Sequence, residues 1–422
     1  PPHVIDEKDK GGGPPPPEST LRSAMQEQAS AALADIAHDN FNMQDLIIGD
    51  GGIPPLLAFI RSGTPLGQEH GARAIWHLAE QNSNQKALIN CGAIPDLVML
   101  VKSGSPKAQE YAAAGLMDLG RGAIAEWVEQ QKKLAAAGKR NALKAKHFHA
   151  EAAEYADILA KVAAEAAAAE AANPLSEKEK KEKQKKEDED DFGSPYLEQI
   201  AEAGGIQPLI ALLSSGTAQA RENATGALWH LALDTGNQMQ IAKFNGVPSL
   251  VTVLDDGTPK AHSLAADALA RLAIDSAENQ AQIAKYLVGL LGNQSAGAQR
   301  RAAHAVCDLA ANHPGSPGII VNAGAISPLV NLLSNGVLEV KKEAAKALST
   351  LSLASPANQL AIASGLVALL GAGSIEAQEH VTQLLLTLSY DDVNRSAISK
   401  AGAISRLVIQ LRGGAQTSMK AQ

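Results

Sequence analysis

Few residues in this sequence have the types and spacing that catalysis or metal binding needs. His147 and His149 are two positions apart in a segment that predicts a helix, so their side chains point apart and make a poor metal site. Cys91 and Cys307 are the only cysteines, and their separation indicates neither a disulfide framework nor a zinc knuckle. The stretch GDGGIP at residues 49–54 does not follow a predicted strand, whereas a phosphate-binding loop would. We therefore expect no enzyme, no metal ion and no cofactor.

A tryptophan–histidine phrase is the more unusual feature. Residues 74–85 read AIWHLAEQNSNQ and residues 227–238 read ALWHLALDTGNQ, and together they hold two of the three tryptophans. Two hypotheses fit these pairs, Trp76–His77 and Trp229–His230. In the first hypothesis, each pair is a protein-binding platform, because tryptophan offers a large contact area at little entropic cost and histidine adds pH sensitivity. Alternatively, each tryptophan wedges between helices and each histidine is solvated.

The composition limits the classes of protein to which the chain can belong. Aromatic residues make up only 3% of the 422 residues, which favours thin layers of small and aliphatic side chains on helices. The net charge of −8 gives no electrostatic footprint for nucleic acid, so we expect no nucleic-acid partner. No run of eighteen apolar residues occurs, so we expect no transmembrane segment.

A long internal repeat explains why the phrase recurs. Eight similar apolar stretches, from GGIPPLLAFI to GAISRLVIQL, each place one leucine in a common register: Leu56, Leu97, Leu209, Leu250, Leu287, Leu329, Leu366 and Leu407. The steps between these register leucines are 41, 112, 41, 37, 42, 37 and 41 residues. The sequence therefore predicts a solenoid with units of about 41 residues, interrupted once by about 71 inserted residues.

The units share one local pattern, which only Gln294 breaks at the glycine position. Seven residues after the register leucine comes a glycine that we expect to adopt positive φ and close a helix, at Gly63, Gly104, Gly216, Gly257, Gly336, Gly373 and Gly414. A Ser or Thr usually follows and is expected to cap an alanine-rich helix. A polar Asn-Gln stretch then leads into a short helix that ends at Gly-x-Ile-Pro. Each unit is thus predicted to contain three helices.

This pattern resembles the armadillo-repeat family, of the β-catenin and importin-α type. The matching elements are the glycine before Ile-Pro, the Pro-Leu-Val-x-Leu-Leu helix, the Ser-Gly turn and the Ala-Leu-x-x-Leu-Ala third helix. The resemblance implies an all-α, right-handed armadillo-repeat superhelix of about eight repeats with partial ends, whose third helices line a concave groove. The units at Leu287 and Leu366 lack Gly-x-Ile-Pro, so we expect their first helices to be shortened.

The resemblance also implies that one polar residue of each third helix faces the groove. In this sequence that position holds Asp35, His77, Asp118, His230, Arg271, Asp308, Thr350 and Thr387. Importin-α carries a tryptophan ladder four residues earlier, but this chain has Ala31, Arg73, Ala114, Gly226, Asp267, His304, Lys346 and Gln383 there. We therefore predict no peptide-clamping ladder and a partner-binding groove formed by Arg73, Trp76, His77, Trp229, His230, Arg271, Asp308 and Lys346.

Residues 122–194 have a different composition. Two helical segments predict a helical hairpin insertion, and the charged linker SEKEKKEKQKKEDEDD follows them. Its candidate contact residues are Trp127, Lys139, Arg140, Phe148 and Tyr155. The predicted organisation is a disordered Pro/Gly-rich tail (1–19), armadillo repeats (20–121), the insertion (122–194), further repeats (195–415) and a tail (416–422).

These features favour a non-catalytic protein–protein interaction scaffold whose partners are other proteins. One hypothesis is an architectural or linker subunit of a larger assembly. The alternative is a reversible adaptor that binds an extended peptide segment of client proteins in the groove; a nuclear-import receptor is less favoured, and self-association is left open. The cysteine usage favours the cytoplasm or another reducing compartment. Because the chain begins at Pro1, an organelle reached by a targeting peptide that was then removed is also considered.

Overall fold

A computed structural model describes residues 18–136, 195–313, 315–353, 355–372, 375–390 and 392–420. Within those ranges every regular element is an α-helix and no strand occurs. The prediction of an all-α fold is therefore confirmed for this part of the chain. The number of repeats and the right-handed superhelix stay predictions.

The chain divides into two compact units, Pro1–Leu119 and Gly120–Gln422. The first unit holds α1 (Glu18–Ala37), α2 (Phe41–Gly49), α3 (Ile53–Ser62), α4 (Pro65–Ala79), α5 (Asn82–Asn90), α6 (Ala93–Ser103) and the part of α7 (Pro106–Ala136) that ends at Leu119. The α2–α3–α4 and α5–α6–α7 sets each contain a first, a second and a third helix of one repeat, and α1 is a third helix.

The second unit continues the same order of helices. Its described elements are α8 (Pro195–Glu202), α9 (Ile206–Ser215), α10 (Ala218–Leu231), α11 (Thr235–Lys243), α12 (Gly246–Asp256), α13 (Pro259–Leu272), α14 (Ala277–Leu291), α15 (Ala296–Asn312), α16 (Ser316–Asn322), α17 (Ile326–Asn335), α18 (Leu338–Ser352), α19 (Pro356–Ala372), α20 (Ile375–Leu388), α21 (Asp392–Lys400) and α22 (Ala403–Lys420). Second helices α9, α12 and α17 pack on third helices α10, α13 and α18.

The predicted caps of the third helices are confirmed. The hydroxyls of Thr64, Ser105, Thr217 and Thr258 each accept a hydrogen bond from the backbone N–H three residues later, at 3.1–3.2 Å. Each hydroxyl thereby satisfies one of the backbone donors that a helix leaves unpaired at its start. The polar residue after the glycine therefore fixes where each of these third helices begins.

The prediction that the glycine before each cap adopts positive φ is wrong for Gly63, Gly104, Gly216, Gly257 and Gly336, and Gly373 lies outside the described residues. Gly104 has φ −71° and Gly216 has φ −78°, both with extended ψ. Glycine fits there because a Cβ on Gly104 would lie 2.7 Å from the Leu100 carbonyl oxygen, closer than atoms can pack. Positive φ occurs instead between the first and second helices, at Gly92 (+82°) and Asn245 (+62°), for example.

The sequence predicts that the first helices of two units are shortened, and this prediction is wrong. In the structure, each of these first helices is fused to the second helix of the same unit. The helices α14 and α19 each run without a break from the Asn-Gln stretch through the register leucine. Both lack the Gly-x-Ile-Pro turn, whose left-handed residue separates the first and second helices elsewhere. Without that turn residue, the helix simply continues.

The Asn-Gln stretch lies inside the first helix and closes the end of the preceding third helix. Gln85, Gln238 and Gln280 are buried, and each donates its side-chain N–H to a carbonyl oxygen at the end of a third helix, at 2.8–2.9 Å. Gln44 makes the same bond to Ala37 at the end of α1. These bonds satisfy carbonyl groups that a helix C-terminus leaves unpaired.

The predicted hairpin lies mostly outside the described residues. The part that is described, up to Ala136, does not start a separate helix as expected, because α7 crosses position 121 without a break. Gly120 and Gly122 flank this position but do not end the helix, and the alanine-rich sequence continues it. The domain boundary at 121–122 stays a prediction.

Candidate interaction groove

The candidate site is the row of polar positions on the third helices, which we call the groove row: Asp35, His77, Asp118, His230, Arg271, Asp308, Thr350 and Thr387. In the first unit, Asp35 is exposed, whereas His77 and Asp118 are only 2% and 5% exposed. In the second unit, His230 and Arg271 are 3% and 4% exposed, and Asp308, Thr350 and Thr387 are more open. The row thus has buried positions and open positions.

Trp76 is fixed by the third helix of the following repeat. Its indole Nε1–H donates to Asp118 Oδ2 at 2.9 Å, and its ring stacks on His77 and on Tyr111 at centroid distances of 4.6 and 5.8 Å. Asp118 and Tyr111 both belong to α7, so these contacts join α4 to α7. Trp76 remains partly exposed.

His77 is a buried side chain and not the solvated residue of the second hypothesis. Its Nδ1 lies 3.3 Å from Glu80 Oε1, and the His38 ring meets it edge-on at 4.7 Å. A buried polar ring of this kind needs a hydrogen-bond partner, which Glu80 supplies. The three side chains connect the ends of α1 and α4.

Arg73 is also committed to the neighbouring helix. Its guanidinium donates to Asp35 Oδ1 at 2.7 Å and to the Ala31 carbonyl oxygen at 3.3 Å, both on α1. A guanidinium that bonds a carboxylate and a carbonyl in this way orients one helix against another. Arg73 therefore links third helices across a repeat boundary.

Trp229 occupies the equivalent place in the second unit but has a different neighbour. It is only 3% exposed, and its Nε1–H has no hydrogen-bond partner among the described residues. The guanidinium carbon of Arg271, on α13, lies 5.1 Å from the ring centroid, which is cation–π distance. Burial lowers the pKa of Arg271 to about 10, and the nearby Asp267 carboxylate partly opposes that shift.

His230 completes the second pair and is as buried as His77. Its ring centroid lies 4.5 Å from that of Trp229, at an interplanar angle of 54°. In the first pair the two rings are more nearly parallel, at 26°. Both histidines therefore pack against their own tryptophan.

The open part of the row lies on α15, α18 and α20. His304 lies 3.2 Å from Asp308 on its own helix and 3.2 Å from Glu343 on α18. Lys346 is exposed, as are Gln383 and Thr387 on α20. Of the eight predicted groove residues, only Asp308 and Lys346 lie in this open part.

The structure does not describe the side chains of the five predicted insertion residues. Lys139, Arg140, Phe148 and Tyr155 lie outside the described residues, and Trp127 is on α7, where only the backbone is described. Among the residues that the structure does describe, no group of three His, Cys, Asp or Glu side chains is arranged to hold a metal ion. Cys91 is exposed and Cys307 is buried.

A family model described as the Armadillo/beta-catenin-like repeat matches residues 194–233 and 313–353. The first segment spans α8 to α10 and the second spans α16 to α18, so each covers one first, second and third helix. This chain contains armadillo repeats. The matched segments have the unfused arrangement with a turn between the first two helices.

Solved structures similar to this chain include designed proteins. An engineered protein is 26% identical and covers 91% of this chain and 90% of its own, with a TM-score of 0.42. A designed armadillo repeat protein is 18% identical over 80% of this chain and 95% of its own (TM-score 0.42). Another, solved in complex with the peptide (KR)4, is 16% identical over 78% and 98% (TM-score 0.42). No curated protein matches the sequence.

The sequence predicts no transmembrane segment. Among the described helices, none is by itself long and apolar enough to cross a bilayer. The neighbouring helices α16 and α17 reach that length and composition only as a pair, with a bend of 75° between them.

The sequence did not assign roles to several residues that hold the groove row. Tyr111, His38 and Glu80 contact the Trp76–His77 pair, and Glu69 and Glu222 accept hydrogen bonds at 2.5 Å from the cap hydroxyls of Ser105 and Thr258 in the next repeat. The signal that could have found these glutamates is their spacing, since each precedes the cap by 36 residues.

Proposed function

We propose that this armadillo-repeat protein is a non-catalytic protein–protein interaction scaffold and serves as an architectural or linker subunit of a larger assembly. The observation that supports this best is the burial of His77, Asp118, His230 and Arg271 on the groove row. These four positions include the histidine of each Trp–His pair.

The argument rests on what an extended peptide would need. A peptide held along a row of third helices requires accessible donors and acceptors for its backbone, and buried groups already committed to neighbours cannot supply them. Trp76 donates to Asp118, and Arg271 lies over Trp229. The middle of the row is therefore better suited to holding repeats together than to exchanging clients.

The partner contacts of an architectural subunit would then lie elsewhere. We propose that they involve the insertion residues Trp127, Lys139, Arg140, Phe148 and Tyr155, together with the outer faces of the repeats. The function needs no catalytic group, metal ion or cofactor. We place it in the cytoplasm or another reducing compartment, including an organelle reached by a removable targeting peptide.

A second candidate, the reversible adaptor, is favoured by the open part of the groove row. His304, Asp308 and Lys346 are accessible on adjacent third helices and offer both signs of charge. An extended segment of a client with alternating charge would match them. The nuclear-import receptor stays the least favoured candidate because the tryptophan ladder is absent from the sequence.

The test is a mild native purification from the source cells, read by quantitative mass spectrometry. An insertion variant replaces Lys139, Arg140, Phe148 and Tyr155 by alanine, and a groove variant carries His304→Ala, Asp308→Ala and Lys346→Ala. Lys243→Ala with Lys285→Ala, two exposed lysines on first helices, is the matched control. Stoichiometric companions that are lost only from the insertion variant are the expected result.

Other outcomes decide between the alternatives. Varied, substoichiometric companions that are lost only from the groove variant would replace the architectural proposal by the adaptor. If the control loses companions as readily as the insertion variant, or if no variant changes any association, neither proposal stands.

A further inference from the structure

The first residues of a third helix are polar or small in most repeats and apolar in two. The cap and the residue after it are Thr64–Pro65 on α4, Ser105–Pro106 on α7, Thr217–Ala218 on α10, Thr258–Pro259 on α13 and Ser295–Ala296 on α15. On α18 these positions hold Val337 and Leu338, and α20 begins with Ile375. We call Val337, Leu338 and Ile375 the apolar edge.

All three side chains of the apolar edge are exposed, Val337 by 58%, Leu338 by 55% and Ile375 by 86%. The first residue of a third helix is exposed in earlier repeats as well, at Pro65, Pro106, Ala218 and Pro259. The openness therefore belongs to the position itself, and the apolar edge differs by its residue types. Because α18 and α20 pack on each other, its members lie on neighbouring helices. Large apolar side chains that are exposed together mark an interaction surface.

Val337 also removes a helix cap. In α4, α7, α10 and α13 a cap hydroxyl accepts a hydrogen bond from the backbone N–H three residues later, whereas no side-chain hydrogen bond caps α18. Valine is therefore less favourable here than threonine, because a backbone donor at the start of α18 loses its acceptor. A residue that breaks a local rule and exposes apolar surface indicates a role beyond the folding of the chain.

Charged groups of both signs flank the apolar edge. Glu339 and Lys342 lie on the first turns of α18, with side chains 65% and 60% exposed, and Glu339 Oε1 lies 3.2 Å from Lys342 Nζ. The uncapped start of α18 adds backbone donors and the positive end of the helix dipole. The patch thus carries a carboxylate beside groups that bind carboxylates. Since Glu339 and Lys342 cancel, two copies of a chain with net charge −8 can approach here with little repulsion.

We propose that the apolar edge is the contact surface between two copies of this protein in a two-fold symmetric dimer. The same patch of both copies packs together, as an isologous interface requires. Glu339 of each copy then faces Lys342 and the start of α18 in the other copy. A second copy fits this surface because the patch supplies both partners of each polar contact. The inference goes beyond the proposed function, which needs no self-association.

The first test gives α18 the Thr-Pro start of α4 and α13. The edge variant of the full chain carries Val337→Thr, Leu338→Pro and Ile375→Ala, and the extended backbone of residue 337 (φ −68°, ψ 162°) accepts a following proline. Met239→Ala with Leu353→Ala is the matched control, since both side chains are exposed, by 70% and 74%, and lie outside the apolar edge. Sedimentation velocity over a wide concentration range measures association.

We expect the unmodified protein and the control to form dimers as concentration rises, and the edge variant to associate at least tenfold more weakly. At concentrations where all three are monomeric, the edge variant should unfold at a higher temperature, because the new hydroxyl caps α18. That gain would separate lost association from misfolding. The proposal is overturned if the unmodified protein stays monomeric throughout, or if the edge variant associates as the control does.

Charge reversal tests whether the occupant is a second copy. Glu339→Lys gives the patch two bases, and Lys342→Glu gives it two acids, so each variant alone should associate at least tenfold more weakly than the unmodified protein. An equimolar mixture of the two should form one-to-one dimers, because each base then faces an acid across the two-fold axis. A mixture that stays monomeric, or a single variant that dimerises as the unmodified protein does, would contradict the two-fold pairing.

Discussion

The two Trp–His pairs have nearly the same sequence and different surroundings. Trp76 is partly exposed and donates its indole N–H to Asp118, whereas Trp229 is buried beneath the guanidinium of Arg271. Asp118 and Arg271 hold the same position of the groove row, 41 residues after His77 and His230. One residue on the following third helix thus decides whether the tryptophan forms a hydrogen bond or a cation–π contact.

The comparison shows that a repeated phrase does not carry a fixed role. In an armadillo solenoid, each third helix is completed by its neighbour, so a side chain's environment is set one repeat later. Both tryptophans act between third helices, but they do so through different chemistry. What they share is burial of the histidine that follows.

The largest expected effect is the loss of stability on replacing each tryptophan, and it should differ between the two because their burial differs. Trp229→Ala should destabilise the protein by about 3–5 kcal/mol, since it removes a buried aromatic side chain and leaves a cavity. Trp76→Ala should cost about 2 kcal/mol, because that ring is already partly solvated. Denaturant unfolding of both variants measures the difference. Equal losses would mean that the two sites are equally exposed.

The next effect is a pH dependence of stability that comes from the Arg271 guanidinium, which lies over Trp229. Folding lowers the pKa of Arg271 from its higher ordinary value to about 10, so between the two values the unfolded chain holds more protons. Stability should therefore rise with pH in that window, and below it the cost of burying the charge is fully present. Relative to Arg271→Met, the unmodified protein should gain about 1 kcal/mol between about pH 9 and pH 11.

The free energy of unfolding at the two pH values, by urea titration, checks this prediction. Arg61→Met is the control, because the bond to Asp96 raises the pKa of Arg61. Relative to Arg61→Met, the unmodified protein should show no gain as pH rises through 10, because both proteins keep Arg271. A parallel pH dependence of Arg271→Met and the unmodified protein would contradict the assigned burial.

A smaller effect isolates the hydrogen bond at the first pair. A double-mutant cycle with Trp76→Phe and Asp118→Ala should give a coupling free energy of about 1 kcal/mol, the net value of one buried hydrogen bond. Trp229→Phe combined with Asp118→Ala supplies the control and should be additive. Zero coupling in the first cycle would contradict the hydrogen bond between Trp76 and Asp118.

The smallest expected effect is the loss of stability on removing a helix cap, and it should be the same in the repeat that follows each Trp–His pair. Ser105→Ala and Thr258→Ala each remove a helix cap that also donates to a glutamate of the preceding third helix, Glu69 or Glu222. Each substitution should cost about 1 kcal/mol in thermal or denaturant unfolding. Clearly unequal losses would show that the two repeats differ in more than their groove row.

Much of the fold follows from the repeat pattern. Helix caps depend on residues three positions apart, so Thr64 and Ser105 could be assigned from sequence alone. The role of Gly104 could not, because what excludes a side chain there is the Leu100 carbonyl, a contact that appears only when the turn is built. The fusion in α14 was missed because deleting a turn can either shorten one helix or join two.

The candidate site was harder to predict than the fold. The positions of the groove row follow from the repeat, but the burial of His77 and His230 depends on side chains supplied by other helices. Trp76 gains its partner 42 residues later, at Asp118. Spacing predicts the register position of each side chain, and only packing gives its environment.

Acrylamide quenching of single-tryptophan variants tests the central claim most directly, which is that the middle of the groove row is closed. One variant keeps only Trp229 (Trp76→Phe with Trp127→Phe) and the other keeps only Trp76 (Trp127→Phe with Trp229→Phe). The account predicts a Stern–Volmer constant for Trp229 several-fold below that of Trp76, with emission shifted to shorter wavelength. A Trp229 that is quenched as readily as a free indole would contradict it and would make the pair an open platform for a partner.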